Sequence, residues 1–173
     1  FQDLTPIVGG VEFSGDWYQV WRANVYSRTA TRILVRLGEF PAVHLSQLDK
    51  KARKFPWQEY LKAQHPVRVE VVSRKSKIYH ARAAAERIEN AIVYSVGNRI
   101  SQDADICIKV RIVKNLVKIS IDSTGEGLHK RGYKFSTGKA PIRETLAAAF
   151  LRMCKFDPSQ PLIDPMCGSG TFV

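Results

Sequence analysis

Apolar and polar positions alternate along residues 67–72 and again along 105–113. In the second run Ile106, Ile108, Val110 and Ile112 face one way and Cys107, Lys109, Arg111 and Val113 the other, which predicts half-buried strands. Between them, over 80–96, the period lengthens to that of a helix. Ala81, Ala84, Ala85, Ile88, Ala91, Ile92 and Val96 form one apolar stripe, and Gly97 stands where a left-handed terminating residue belongs. Asn115 allows a tight turn, so 116–121 is expected to return as the second arm of a hairpin.

The N-terminal third follows the same logic with weaker patterns. Residues 6–13 predict a strand with a bulge at Gly9-Gly10, and Ser14-Gly15 turn the chain. Asp16, with Gln19 three residues on, has the form of a capping box, opening a helix to about Ser27 with Val20, Trp21, Asn24 and Val25 at helical spacing. Residues 31–40 alternate as a strand, Ile33, Val35 and Leu37 against Arg32, Leu34 and Arg36. A helix over 45–55 then carries Lys50, Lys51, Arg53 and Lys54.

Pro56-Trp57 and the His65-Pro66 break suggest a boundary, so 1–60 reads as most of a ferredoxin-like unit without its opening strand, and 61–122 as a small strand, helix, strand, strand module. Residues 123–140, rich in Gly, Ser and Thr and carrying Lys130, Arg131, Lys134 and Lys139, read as an extended connector. The last part, 141–173, opens with Pro141 at a first helical position. Ile142, Leu146, Ala149, Phe150 and Met153 lie along one face of that helix, which is expected to pack on a sheet beginning with the strand 161–164. One strand cannot complete such a core. The fold class is therefore mixed α/β.

Charge alters this picture more than composition does. The 173 residues hold 27 Lys and Arg against 16 Asp and Glu, a net charge of +11, which points to a polyanionic partner and first to nucleic acid. The candidate phosphate contacts are Arg74, Lys75 and Lys77 after one strand, Arg99 after the long helix, and Lys109 with Arg111 on one strand face; each singly is equally a solvated surface residue. Tyr79 or Trp57 offers a ring to stack on a base, against the plainer reading of a core or interface residue. Cys107, Cys154 and Cys167 are few and widely spaced, as in a reduced cytosolic protein, and His80 and His129 lack partners at metal-ligand spacing, so no metal is assigned. No apolar run reaches membrane-spanning length and no signal peptide opens the chain; Phe1 in place of Met is read as the start of a piece of a longer protein.

The other chemistry-bearing stretch is Asp164-Pro165-Met166-Cys167-Gly168-Ser169-Gly170-Thr171, an acidic residue at the end of an apolar run, then a Gly-x-Gly turn. In doubly wound sheets a ligand sits outside the carboxyl end of such a strand, where glycines let backbone N–H groups approach it. By itself the turn is equally a surface loop. A phosphate-binding loop would need Lys where Thr171 stands, and dinucleotide binding a third glycine where the chain has Val173.

Three blocks taken together, residues 122–133 (Asp-Ser-Thr-Gly-Glu-Gly-Leu-His-Lys-Arg-Gly-Tyr), 140–149 and 164–171, resemble the THUMP-containing RNA methyltransferases that modify the guanine 2-amino nitrogen, especially the bacterial ribosomal RNA branch. Residues 8–13 and the Asn24 to Ala30 region extend the resemblance toward the N-terminus. It implies a ferredoxin-like piece, a THUMP RNA-binding domain and the first helix and strand of a Rossmann-like methyltransferase domain. It also implies S-adenosylmethionine as methyl donor, held by Asp164, Gly168, Ser169 and Gly170 with Thr171 as a further candidate, and Met166 and Cys167 as wall residues. Ribosomal RNA is the implied substrate; alternatives are the same reaction on transfer RNA and a non-catalytic RNA-binding protein. The family's Asn/Asp-Pro-Pro-aromatic motif, which would hold the target nitrogen, has no match here, since Asp157-Pro158-Ser159-Gln160 differs. No catalytic residue is therefore assigned within the chain, which alone is expected to be inactive.

Overall fold

The computed structural model describes residues 2–132 and 141–172, which form two compact units, Leu34–Gly125 and the residues flanking it on both sides. The connector lysines Lys134 and Lys139 lie outside the described residues.

The contiguous unit is a four-stranded mixed sheet of order β3-β6-β5-β4, with β3 Leu34–Pro41, β4 Val67–Arg74, β5 Ile106–Val113 and β6 Leu116–Asp122. Parallel β4 and β5 are joined through α3 (Ala81–Val96), while β5 and β6 form the hairpin expected around Asn115. Lys114 (φ +49°) and Asn115 (φ +64°) are both left-handed, the turn geometry whose twist matches that of paired strands. The Ile106 face of β5 lies against α3 and α2 (Leu45–Arg53), where Leu48, Ala52, Ala84, Ile88 and Ile92 join Ile108, Ile112 and Ile119 in one core. Gly97 ends α3 at φ +80°, as its position suggested.

Two elements sit elsewhere than the sequence reading placed them. β3 and α2, assigned there to an N-terminal ferredoxin-like unit, belong to this sheet and its core: β3 pairs antiparallel with β6, and Leu48 and Ala52 of α2 are fully buried beside α3. The register shifts between Arg36 and Gly38, so Val35 and Phe40, of opposite parity in sequence, stand opposite Ile121 and Val117. Trp57 is wholly buried, donates its indole N–H to Ala52 O (2.7 Å) and lies 4.7 Å from the Phe55 ring, which settles it as a core residue.

In the other unit, 6–13 is a hairpin instead of one bulged strand: β1 (Gln2–Ile7) pairs antiparallel with β2 (Gly10–Ser14) through a turn with Gly9 at φ +84°. The Asp16 and Gln19 capping box opens α1 (Trp17–Tyr26) as expected, yet the buried residue of α1 is Ala23, and Trp21 and Val25 are exposed. The first part of the connector is also structured. Leu128 N–H donates to Thr31 O (3.0 Å), and the Arg131 guanidinium donates to the carbonyls of Ser27 (2.7 Å) and Asn24 at the end of α1. Carbonyls in the last turn of a helix have no following turn to bond, and a cation there also meets the negative end of the helix dipole.

α4 (Glu144–Met153) starts three residues after Pro141, with Arg143 as cap. Its buried residues are Thr145 and Ala147, whereas Ile142, Leu146, Phe150 and Met153 are exposed. Residues 161–164 form no ladder, because no described strand pairs with them, and Ile163 is exposed. No helix among the described residues is long and apolar enough to cross a membrane.

Candidate functional site

The Leu34–Gly125 unit gathers cations at one end of its sheet. β4 runs through Arg74, after which Lys75 takes a left-handed conformation (φ +49°) and the loop folds against the β5–β6 turn. Lys77 N–H donates to Asn115 Oδ1 (2.9 Å), Asn115 N–H to Ser76 Oγ (3.1 Å), and Ala42 N–H to Asn115 O (2.8 Å). Asn115 therefore ties together the loop after β4, the hairpin tip and the end of β3. Around it Arg74, Lys75, Lys77 and Lys114 are all exposed. Lys114 was not among the sequence candidates; its signal was a charge beside the turn residue. Tyr79, 73% exposed, packs against His80 with ring centroids 4.1 Å apart and the planes tilted by 44°, so an open aromatic pair lies just beyond the basic loop.

The remaining candidates separate from this group. Arg99 accompanies the opposite end of β4, where its carbonyl accepts from Val67 N–H. Lys109 is on the sheet face away from the helices, but it is ion-paired to Glu70 at 2.5 Å and stands 4.0 Å from Asp122. The charge the alternation promised there is thus largely neutralised within the fold. Arg111, on the same face and nearer the basic end, is exposed and has no ion-pair partner among the described residues.

The same face explains one inert thiol. Cys107 is buried, with Sγ 3.4 Å from Glu70 Oε1; burial pushes its thiol up to about 11, partly countered by the Lys109 cation. At pH 8 its thiolate fraction is about one part in a thousand. A thiol titration of the folded chain should therefore count Cys154 and Cys167, both exposed, and find the third only after denaturation. Rapid modification of all three would overturn the burial of Cys107. The Lys109 hydrogen bond holds Glu70 below the usual carboxylate range. Its contribution to stability is accordingly present at neutral pH and is lost as acid takes the pH down through that lowered value.

The second candidate site lies in the flanking unit. Asp164 Oδ1 accepts the N–H of Met166 (2.9 Å), and Gly170 N–H donates to Cys167 O (2.8 Å), which closes a tight turn. Gly168 and Gly170 have φ of +54° and +68°. A Cβ on Gly170 would meet nothing within 4 Å, so backbone conformation, not lack of room, is what requires glycine there. Asp164 also lines a cleft of about 460 Å³ beside α4, whose walls include Phe150, Leu151, Phe156, Pro165 and Phe172. Met166 and Cys167 are both exposed. Ser169 and Thr171 are half-buried on the turn, and no helix follows it among the described residues.

The chain thus carries a basic α/β module and, further along, an Asp-x-x-x-Gly-x-Gly turn beside an apolar cleft. Residues 1–34 match the RlmL ferredoxin-like domain, 42–122 the THUMP domain, and 131–173 the RMKL-like methyltransferase domain. In this order and over nearly its whole length, the chain is similar to THUMP-containing methyltransferases of the RlmL type. It is 35% identical over 178 residues to the ribosomal RNA large subunit methyltransferase K/L of Vibrio cholerae, covering 99% of this chain and 25% of that protein. A structure from Listeria monocytogenes, named a predicted N6-adenine-specific DNA methylase, superposes with a TM-score of 0.81 at 35% identity, over 94% of this chain and 46% of that one. Another, provisionally named a methyltransferase and complexed with SAH, gives 0.74 at 29% identity, over 91% and 44%. The chain thus spans a quarter to just under half the length of these relatives.

Proposed function

We propose that the protein to which this chain belongs transfers a methyl group from S-adenosylmethionine to the 2-amino nitrogen of a guanine in large-subunit ribosomal RNA, in the cytoplasm. The observation that carries this reading is the combination, in one chain, of the basic rim keyed on Asn115 and the Asp164 to Thr171 turn beside its cleft. Within it, Arg74, Lys75, Lys77 and Lys114 contact RNA phosphates, with Arg111 adjoining them. Arg99 and Lys109 contribute less, the first by position and the second by its ion pairs.

At the turn, the sulfonium cofactor fits an apolar cleft with one carboxylate on its wall. Asp164 would accept hydrogen bonds from ligand hydroxyl or amino groups, while the left-handed Gly168 and Gly170 shape the backbone around Ser169 and Thr171 to face the ligand. The cofactor supplies the electrophilic methyl group. Holding the acceptor nitrogen in line with it falls to residues beyond this chain, which on its own would bind RNA without transferring methyl. We divide the parent accordingly into a ferredoxin-like piece to about residue 33, a THUMP module over 34–125, and a methyltransferase domain from about 141.

A tritiated-methyl assay of the full-length protein, offered ribosomal and transfer RNA from a host lacking the enzyme, with product nucleosides identified by mass spectrometry, tests this. Label in guanine of large-subunit RNA supports it. Label in transfer RNA keeps the chemistry and moves the substrate. Label on adenine, as the Listeria protein's name suggests, would replace the acceptor. No transfer with RNA binding retained would leave a non-catalytic RNA-binding protein.

A further inference from the structure

The three cations of α2, Lys50, Lys51 and Arg53, and Lys54 at its C-cap do not act alike. Arg53 turns toward α3, ion-paired to Asp49 (2.9 Å) and lying 4.9 Å from the centre of the Tyr94 ring. Lys50, Lys51 and Lys54 instead line a depression of about 520 Å³ together with Pro41, Val43 and Gln47. Lys51 Nζ donates to Pro41 O (2.7 Å) and Gln47 Oε1 accepts from Val43 N–H (3.0 Å), so the floor is held by internal bonds. Lys50 and Lys54 are exposed and have no ion-pair partner among the described residues. Three lysines line this depression and no carboxylate does, a combination that favours an anion there.

The depression is continuous with the basic rim. Pro41, its wall, pairs with Leu116 at the base of the β5–β6 turn, and the next residue, Ala42, donates to Asn115 O. Asn115 also holds Lys77 and Ser76 of the loop after β4. The same turn therefore fixes two sets of cations, one on the β4–α3 loop and one on α2.

We infer that the α2 depression is a second phosphate-binding site for the same RNA, and that Asn115 sets its spacing from the loop cations so that one strand of backbone runs across both. This rests on the RNA-binding reading above and extends it: the partner is gripped along a track, by sugar-phosphate geometry, and not at a single loop.

The test is the salt dependence of binding of a labelled double-stranded RNA hairpin to the full-length protein. Each duplex phosphate contact contributes about 0.9 to the slope of log K against log salt. The double variant K50A/K54A is expected to lower the slope by about 2 and to weaken binding about 50-fold at 0.1 M salt. Both side chains are exposed, so its melting curve should match that of the parent. K62A, an exposed cation near the opposite end of β4, is the control and should leave the slope unchanged; a fall equal to that of one α2 lysine would show only a general charge effect and would overturn the site. An unchanged slope in K50A/K54A, with the parent still binding in a salt-sensitive way, also overturns it. Absence of any salt-sensitive binding by the parent would instead remove the RNA-binding reading itself.

Discussion

Replacing Trp57 with alanine is expected to destabilise the Leu34–Gly125 unit by about 3–5 kcal/mol, the range for removing a large aromatic from a packed core. The indole is fully buried, touches the Phe55 ring and donates to Ala52 O, so truncation leaves a cavity and removes a buried hydrogen bond, although Ala52 O keeps the N–H of Phe55. For a unit of this size the loss corresponds to a fall in melting temperature of more than about 15 °C. Circular dichroism melting reads it directly. W57F, which keeps a ring and loses the hydrogen bond, should fall between W57A and the parent. A W57A variant melting within a few degrees of the parent would show that the 57–61 turn is not part of the core.

The second large effect concerns binding. Removing Arg74, Lys75 and Lys77 together should weaken RNA affinity by about two to three orders of magnitude at 0.1 M salt and reduce the salt slope by about 3, since three phosphate contacts are lost and their counterions are no longer released. Fluorescence anisotropy across a salt series measures both quantities in one titration. All three side chains are exposed, and the backbone bonds that shape the loop, Lys77 N–H to Asn115 and Ser76 Oγ to Arg74 O, survive truncation beyond Cβ. An affinity and slope equal to the parent's would move the RNA contact away from this end of the sheet.

What could be read from the chain and what could not divides along physical lines. Elements with strong periodicity or explicit local chemistry, such as β5 with its Ile alternation, α3 with its stripe and Gly97 cap, and the Asp16 capping box, stand where the pattern placed them, because neighbouring residues alone fix them. The partners of β3 and α2 were not legible. Their alternation says which face is apolar but not which core receives it, and Val35 and Phe40 become cofacial through an irregularity that no residue type announces. The neutralisation of Lys109 was hidden likewise, since Glu70 lies 39 residues away in sequence and adjacent only in the parallel register. The apolar stretch 161–164 has strand composition, yet backbone hydrogen bonds to a neighbour are what make a strand, and no described residue supplies them.

The Arg131 clasp bears on the order in which the molecule assembles. It joins residues 104 positions apart, and closing an open loop of that length costs about 4 kcal/mol of chain entropy before any constant. The sheet removes much of this cost, because Leu34 and Asp122 are direct neighbours across the β3–β6 ladder. Once that ladder forms, the free chain between clasp and helix is short, and the penalty falls to about 2.5 kcal/mol. As the chain leaves the ribosome, the middle unit is complete by residue 125, while the opening hairpin and α1 wait for Arg131. Residues 2–33 are thus fixed only after residue 131 has been made, later than the Leu34–Gly125 unit that follows them in the chain, and any lesion that delays the β3–β6 ladder prolongs that wait.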